Sequence, residues 1–168
     1  MLTRRTFTLS GMAFGVAGAA LGTSLSFANN ANKDEKMSDI DWKKIKKSDW
    51  KARLTPDQYA VLRREATERP FSSPLNDEHS KGQFVCSGCE LPLFDSSMKF
   101  DSGTGWPSFS DHLKNAVQTK RDFKLVVPRT EYHCARCGGH QGHVFKDGPA
   151  PTGLRYCNNG VALKFIAS

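Results

Sequence analysis

Gln83-Phe84-Val85-Cys86-Ser87-Gly88-Cys89-Glu90-Leu91-Pro92-Leu93-Phe94 reads as strand, knuckle, strand. The two flanking runs are short and apolar, and Gly88 lets the backbone bend tightly between the cysteines. A second knuckle, Cys134-Ala135-Arg136-Cys137, follows another strand-like run, Thr130 to Cys134, and 44 residues separate Cys89 from Cys134. Each C-x-x-C turn places two sulfurs on one side of a loop. Cys86, Cys89, Cys134 and Cys137 together supply the four thiolates of one tetrahedral zinc site. The separation exceeds that of a compact zinc ribbon, so one Zn2+ per chain would clip together two distant strand pairs. With every position taken by cysteine, none is left for substrate, and the site is structural. Two disulfides are the alternative.

Working outward, further strands are expected over Ala116 to Lys120, Phe123 to Val127, His143 to Lys146, Leu154 to Cys157 and Val161 to Ile166, with a Lys-Arg-Asp turn between the first two. Glycine and proline punctuate most of the gaps. Upstream, Thr55 starts a helix: Pro56 takes the first helical position, Gln58 completes a T-x-x-Q capping box, and Pro70 marks its end. Ile40 to Lys51 reads as short helical turns carrying Trp42, Ile45 and Trp50. The predicted fold is mainly β, a small antiparallel β domain of two sheets with N-terminal helices and the structural four-cysteine zinc site.

The first residues read as an address. Arg4-Arg5 precede an apolar stretch from Leu9 to Phe27, and Ser26-Phe27-Ala28 suits a signal peptidase. The pattern is similar to a twin-arginine export signal, although Thr8 stands where a larger apolar residue is usual. The division is therefore 1–28 signal peptide, 29–38 linker and 39–168 folded domain. The expected location is the periplasm, reached already folded and with the thiols protected by metal. An uncleaved anchor is the alternative; after cleavage no stable membrane insertion is expected. The net charge of +7 falls to +5 without the leader and is spread along the chain, so no nucleic-acid partner is expected. Nothing suggests a coiled coil, and a monomer is expected.

The fifth cysteine, Cys157, has no pairing partner. It stands in Arg155-Tyr156-Cys157-Asn158-Asn159, two residues after an arginine and downstream of His140 and His143. A thiolate is a nucleophile, cationic neighbours favour it, and histidine supplies an acid that titrates near neutrality. Alternation on a strand puts Arg155 and Cys157 on one side.

Five stretches resemble the type-B methionine sulfoxide reductases, which act on the R epimer. They are Asp101-Ser102-Gly103-Thr104-Gly105-Trp106-Pro107-Ser108-Phe109, the two knuckles, His140-Gln141-Gly142-His143-Val144-Phe145, Asp147-Gly148-Pro149, and Arg155-Tyr156-Cys157-Asn158-Asn159. Order and spacing match from about Leu54 to Phe165. The resemblance implies that Cys157 attacks methionine-R-sulfoxide, free or in proteins, and becomes a sulfenic acid. It implies that Arg155 stabilises the thiolate, with Asn159 a further site residue that faces the same way if the strand continues, that His140 and His143 orient and protonate the oxygen, that Asp147 supports their network, and that Trp106 covers the substrate methyl. Where many relatives carry a resolving cysteine this chain has Thr104. An external thiol such as a thioredoxin-like protein would therefore close the cycle. The competing class is a zinc-ribbon-like binding module without catalysis.

Overall fold

The computed structural model describes residues 40–124 and 127–168; the leader and linker readings lie outside the described residues. Among the described residues two helices come first, α1 (Lys47–Arg53) and α2 (Pro56–Arg64). The capping box at the start of α2 forms as predicted: the Thr55 hydroxyl accepts from Gln58 N–H and the Gln58 side chain accepts from Thr55 N–H. The helix stops well before Pro70, because Glu65 adopts a left-handed conformation (φ 55°) and its N–H closes back onto the last turn. Ala66 is therefore outside the helix.

Nine strands follow among the described residues: β1 (Gly82–Cys86), β2 (Pro92–Asp95), β3 (Lys99–Phe100), β4 (Ser108–Phe109), β5 (Val117–Asp122), β6 (Arg129–Cys134), β7 (His140–Phe145), β8 (Arg155–Asn158) and β9 (Leu163–Ala167). They form two antiparallel sheets, ordered β2-β1-β9 and β3-β4-β8-β7-β6-β5. The expected Lys-Arg-Asp turn is absent: β5 runs straight through Lys120 and Arg121 to Asp122, paired residue by residue with β6. Phe123 to Val127 is not a strand at its described residues; Leu125 and Val126 lie outside them. The ladder to β6 outweighs the local turn chemistry of those charged residues. β7 begins three residues earlier than predicted, at His140.

Alternation along the strands builds the core between the sheets. Phe84 and Phe94 from the small sheet meet Phe109, Tyr132 and Tyr156 from the large one. Phe94 stacks on Phe109 with centroids 4.0 Å apart, and Tyr132 meets Tyr156 edge-on at 5.3 Å. Each such pair contributes roughly 0.5–1.5 kcal/mol beyond area burial. Because Tyr156 points into this core, Arg155 and Cys157 on either side of it point to the opposite face of β8.

The helices cover the knuckles. Trp50 and Leu62 lie against Gly88, and Leu62 also lies against Gly139. Arg63 stacks on Trp50, 3.7 Å from the ring centroid, and donates to the Cys137 carbonyl at 2.9 Å. Among the described residues no helix is long and apolar enough to cross a membrane.

Candidate active site

The four knuckle cysteines converge, as their spacing predicts. All four Sγ atoms lie within 4.8 Å of one another and are buried. Cys86 and Cys137 are 3.7 Å apart, Cys89 and Cys134 3.4 Å. A tetrahedron with metal–sulfur bonds of about 2.3 Å has edges of about 3.8 Å, so the quartet fits a metal ion nearly as it stands. Its setting suits thiolates, since Gln141 Nε2 donates to Cys86 Sγ at 3.5 Å. The quartet is positioned to bind one metal ion between the end of β1 and the β6–β7 turn.

Cys157 sits apart from it, on the floor of a cleft of about 210 Å³ whose walls include Thr67, Trp106, Arg129, His143, Phe145 and Asn159. Three strands set this floor. β4 pairs with β8 so that Ser108 faces Cys157, and β7 pairs with β8 so that His143 faces Cys157 from the other side. Directly opposed residues of an antiparallel pair bring their Cβ atoms to about 4.5–5.5 Å. Gly142 is required beside them: a Cβ there would stand 1.9 Å from the Cys157 carbonyl oxygen. Gly105, at φ +87°, plays the same part under Trp106, where a Cβ would strike Phe71.

The sulfur is partly exposed. Burial pushes its pKa up, while Arg155 and the Thr104 hydroxyl pull the other way without prevailing. The Cys157 sulfur therefore rests as a thiol, where the arginine alone suggested a thiolate. Arg155 is held by Asp147 through two parallel bonds, Nε to Oδ1 and Nη2 to Oδ2, both 2.9 Å. Its guanidinium also stacks on Phe145 at 4.4 Å. Asp147 thus braces the arginine and does not join the histidine network, contrary to expectation. The carboxylate is taken up by the nearer and geometrically matched fork.

The histidines have carboxylate partners of their own. His143 Nε2 donates to Asp122 Oδ2 at 2.7 Å, and Arg129 Nη2 donates to the same oxygen at 2.8 Å. A backbone N–H from Lys124, then His143 and Arg129, hold the Asp122 carboxyl far below the ordinary range. Burial lowers the His143 pKa despite Asp122, so this imidazole rests neutral with its proton on Nε2. His140 lies behind it, ring centroids 5.5 Å apart, with Nδ1 bonded to Glu131 at 2.7 Å and Nε2 buried without a partner. His140 does not line the cleft, so the two expected histidines occupy two different layers. Burial pushes the Glu131 carboxyl up, but bonds from His133, His140 and Lys120 outweigh it and hold the group ionised.

Asn159 would face the same way as Cys157 only if the strand continued. The strand ends at Asn158, and the Asn159 side chain turns to structural work: Oδ1 accepts from Glu68 N–H at 3.0 Å and Nδ2 donates to the Gln141 carbonyl at 2.9 Å. Glu68 in turn accepts from Gly160 and Val161 N–H, and its carbonyl accepts from Trp106 Nε1 at 3.2 Å. Trp106 is thereby fixed as one wall of the cleft. Gln141, fully buried, also receives Asn158 Nδ2 on its side-chain oxygen at 3.5 Å, and Asn158 receives the Tyr132 hydroxyl at 2.6 Å. Sequence reading missed Glu131, Asp122, Arg129 and Glu68. None carried a local signal: Glu131 itself falls on the polar alternate of β6, with Arg129 and His133.

Comparison with known proteins identifies the family. The SelR domain family matches residues 54–167. A peptide methionine sulfoxide reductase MsrB of Agrobacterium fabrum is 52% identical over 132 residues, covering 77% of this chain and 98% of the relative. One from Bradyrhizobium diazoefficiens is 53% identical over 133 residues, covering 78% and 96%. A chloroplastic peptide methionine sulfoxide reductase B1 of Arabidopsis thaliana is 45% identical over 149 residues, covering 88% of this chain and 73% of the relative. With the match running from the capped helix to the last strand, this chain belongs to the SelR-domain family of MsrB-type peptide methionine sulfoxide reductases.

Proposed function

We propose that this enzyme reduces methionine-R-sulfoxide with Cys157 as nucleophile. The observation that carries the reading is the register of β7, β8 and β4, which sets Cys157 opposite His143 on the floor of a cleft walled by Trp106.

The chemistry follows from the proton positions. His143 keeps Nε2–H on Asp122, so only Nδ1 is free to exchange a proton. It takes the Cys157 proton, and the thiolate, steadied by Arg155, attacks the sulfoxide sulfur. The same imidazolium returns the proton to the departing oxygen. In the adduct, a Cys157 S–O bond forms as the substrate S–O bond and the transient S–S bond both break, so that methionine leaves and Cys157 is left as a sulfenic acid carrying the oxygen and its proton. Trp106 faces the substrate methyl, a sulfur–aromatic contact of roughly 0.3–1.5 kcal/mol. His140, locked to Glu131, backs His143, and Asn159 braces the turn after the nucleophile.

All four other cysteines belong to the metal quartet, so no internal thiol is free to close a disulfide. An external thiol attacks the sulfenic sulfur and expels water, and a second thiol releases the mixed disulfide. A thioredoxin-like protein suits this role. The all-thiolate set favours zinc, and native mass spectrometry should find one zinc per chain. The paired arginines and apolar leader of residues 1–28 support export through the twin-arginine route to the periplasm. The mature N-terminus of protein recovered from cells tests that.

The decisive assay incubates the metal-loaded protein with dithiothreitol and a peptide containing methionine-R-sulfoxide. The parent should form methionine and Cys157→Ser should not. Turnover by the serine variant would remove the mechanism.

A further inference from the structure

We propose that Thr104, Ser102 and Ser108 form a reversible hydroxyl chain whose donors swing toward the Cys157 sulfur when it ionises, Thr104 touching the sulfur and the two serines positioning it. The chain begins beneath the nucleophile. Ser108 is fully buried on β4, directly opposite Cys157. Ser102 Oγ lies 2.7 Å from Ser108 Oγ and 2.8 Å from Thr104 Oγ1. The far end is anchored, since Ser108 donates to the Trp106 carbonyl at 3.1 Å. At the near end, the Thr104 hydroxyl is among the groups that pull the Cys157 pKa down.

Each hydroxyl has one proton to give and can accept at its oxygen. That permits two self-consistent settings. In the first, Ser108 donates to the Trp106 carbonyl, Ser102 to Ser108, and Thr104 to Ser102. The Thr104 oxygen then accepts from the Cys157 thiol. In the second, every rotor turns: Ser108 donates to Ser102, Ser102 to Thr104, and Thr104 to the thiolate. No proton leaves its oxygen; only three hydroxyl torsions change. The cost of the second setting is the bond to the Trp106 carbonyl. The gain is a charge-assisted bond to sulfur, roughly twice as strong as a neutral one. The first setting suits the resting thiol and the second suits the attacking thiolate.

Other charges face the same sulfur. Arg155 and its partner Asp147 approach from β8 and the loop before it, and His143, with Asp122 and Arg129, from β7 and beyond. His140 and Tyr132 lie deeper. None of them reaches the sulfur from the β4 side, where the hydroxyls lie.

The inference rests on Cys157 being the nucleophile, but its test does not depend on turnover. Alkylation of Cys157 by iodoacetamide, followed by peptide mass spectrometry across pH in the metal-loaded protein, reads the thiolate directly. Thr104→Val should raise the midpoint and slow alkylation about tenfold below it. Thr104→Ser should restore the parent profile. Ser102→Ala should shift the midpoint in the same direction by less, with Thr104 still in place. Thermal unfolding is recorded for each, and Ser102→Ala carries the test if Thr104→Val does not fold. Profiles of Thr104→Val and Ser102→Ala that superimpose on the parent overturn the chain. So does a Thr104→Ser profile matching Thr104→Val, which would reduce Thr104 to packing. Failure of the nucleophile assignment looks different, because it leaves Cys157→Ser active.

Discussion

Glu131 offers the sharpest test of the buried charge network. Its carboxylate is 2% exposed. It accepts from His140 at 2.7 Å and pairs with Lys120 at 3.2 Å and His133 at 3.7 Å. Glu131→Ala removes the acceptor and leaves His140, 3% exposed, with both ring nitrogens unpartnered in a buried site. Breaking a buried pair from one side costs about 3–5 kcal/mol. For a domain of this size that lowers the melting temperature by on the order of 10 °C or more. Glu131→Gln keeps an oxygen for the His140 N–H and loses only the charge-assisted part, about 1–2 kcal/mol. Urea unfolding followed by the fluorescence of Trp42, Trp50 and Trp106 measures both. The pH dependence has a definite sign. The folded-state pKa of Glu131 is depressed from 4.5, so its contribution is fully present above about pH 4.5 and fades as pH falls toward the folded value. The gap between parent and Glu131→Gln should therefore be widest near neutrality and narrow below pH 4.5. An alanine variant with the parent's midpoint, or a gap that widens on acidification, refutes the reasoning.

Tyr132→Phe removes the buried donor to Asn158 Oδ1 and should cost about 1–2 kcal/mol in urea unfolding, with metal content unchanged. Because burial holds Cys157 as a thiol, its alkylation midpoint in the parent should lie above that of an ordinary cysteine. Arg155→Met, which deletes the largest opposing influence, should slow the reaction at pH 8 further. Thr55→Ala should lose about 1 kcal/mol of stability through the capping box, leaving the alkylation profile alone.

What the sequence made legible was what depends on local spacing. The two knuckles, the strand–knuckle–strand run, the capping box and the alternation of Arg155 and Cys157 about Tyr156 all follow from neighbours within a few residues. Length of pairing was less legible. Lys120 and Arg121 look like a turn in isolation, yet β6 provides a partner for each, and that partner is not written locally. The two-residue strands β3 and β4 carry no periodic signal, although β4 pairs directly with Cys157. Partner choice was least legible. Asp147 and Asp122 are both acids within reach of motif residues, and only the fold shows that one braces Arg155 and the other His143.

Gln141 touches a metal-site sulfur with its amide nitrogen and the segment after Cys157 with its oxygens. Any event that disperses the sulfur cluster therefore also unseats the backbone that aims Cys157. An oxidant harsh enough to strip the scaffold would silence the repair reaction in the same stroke, so a damaged copy retires and does not linger as a stray reactive thiol draining the reductant supply.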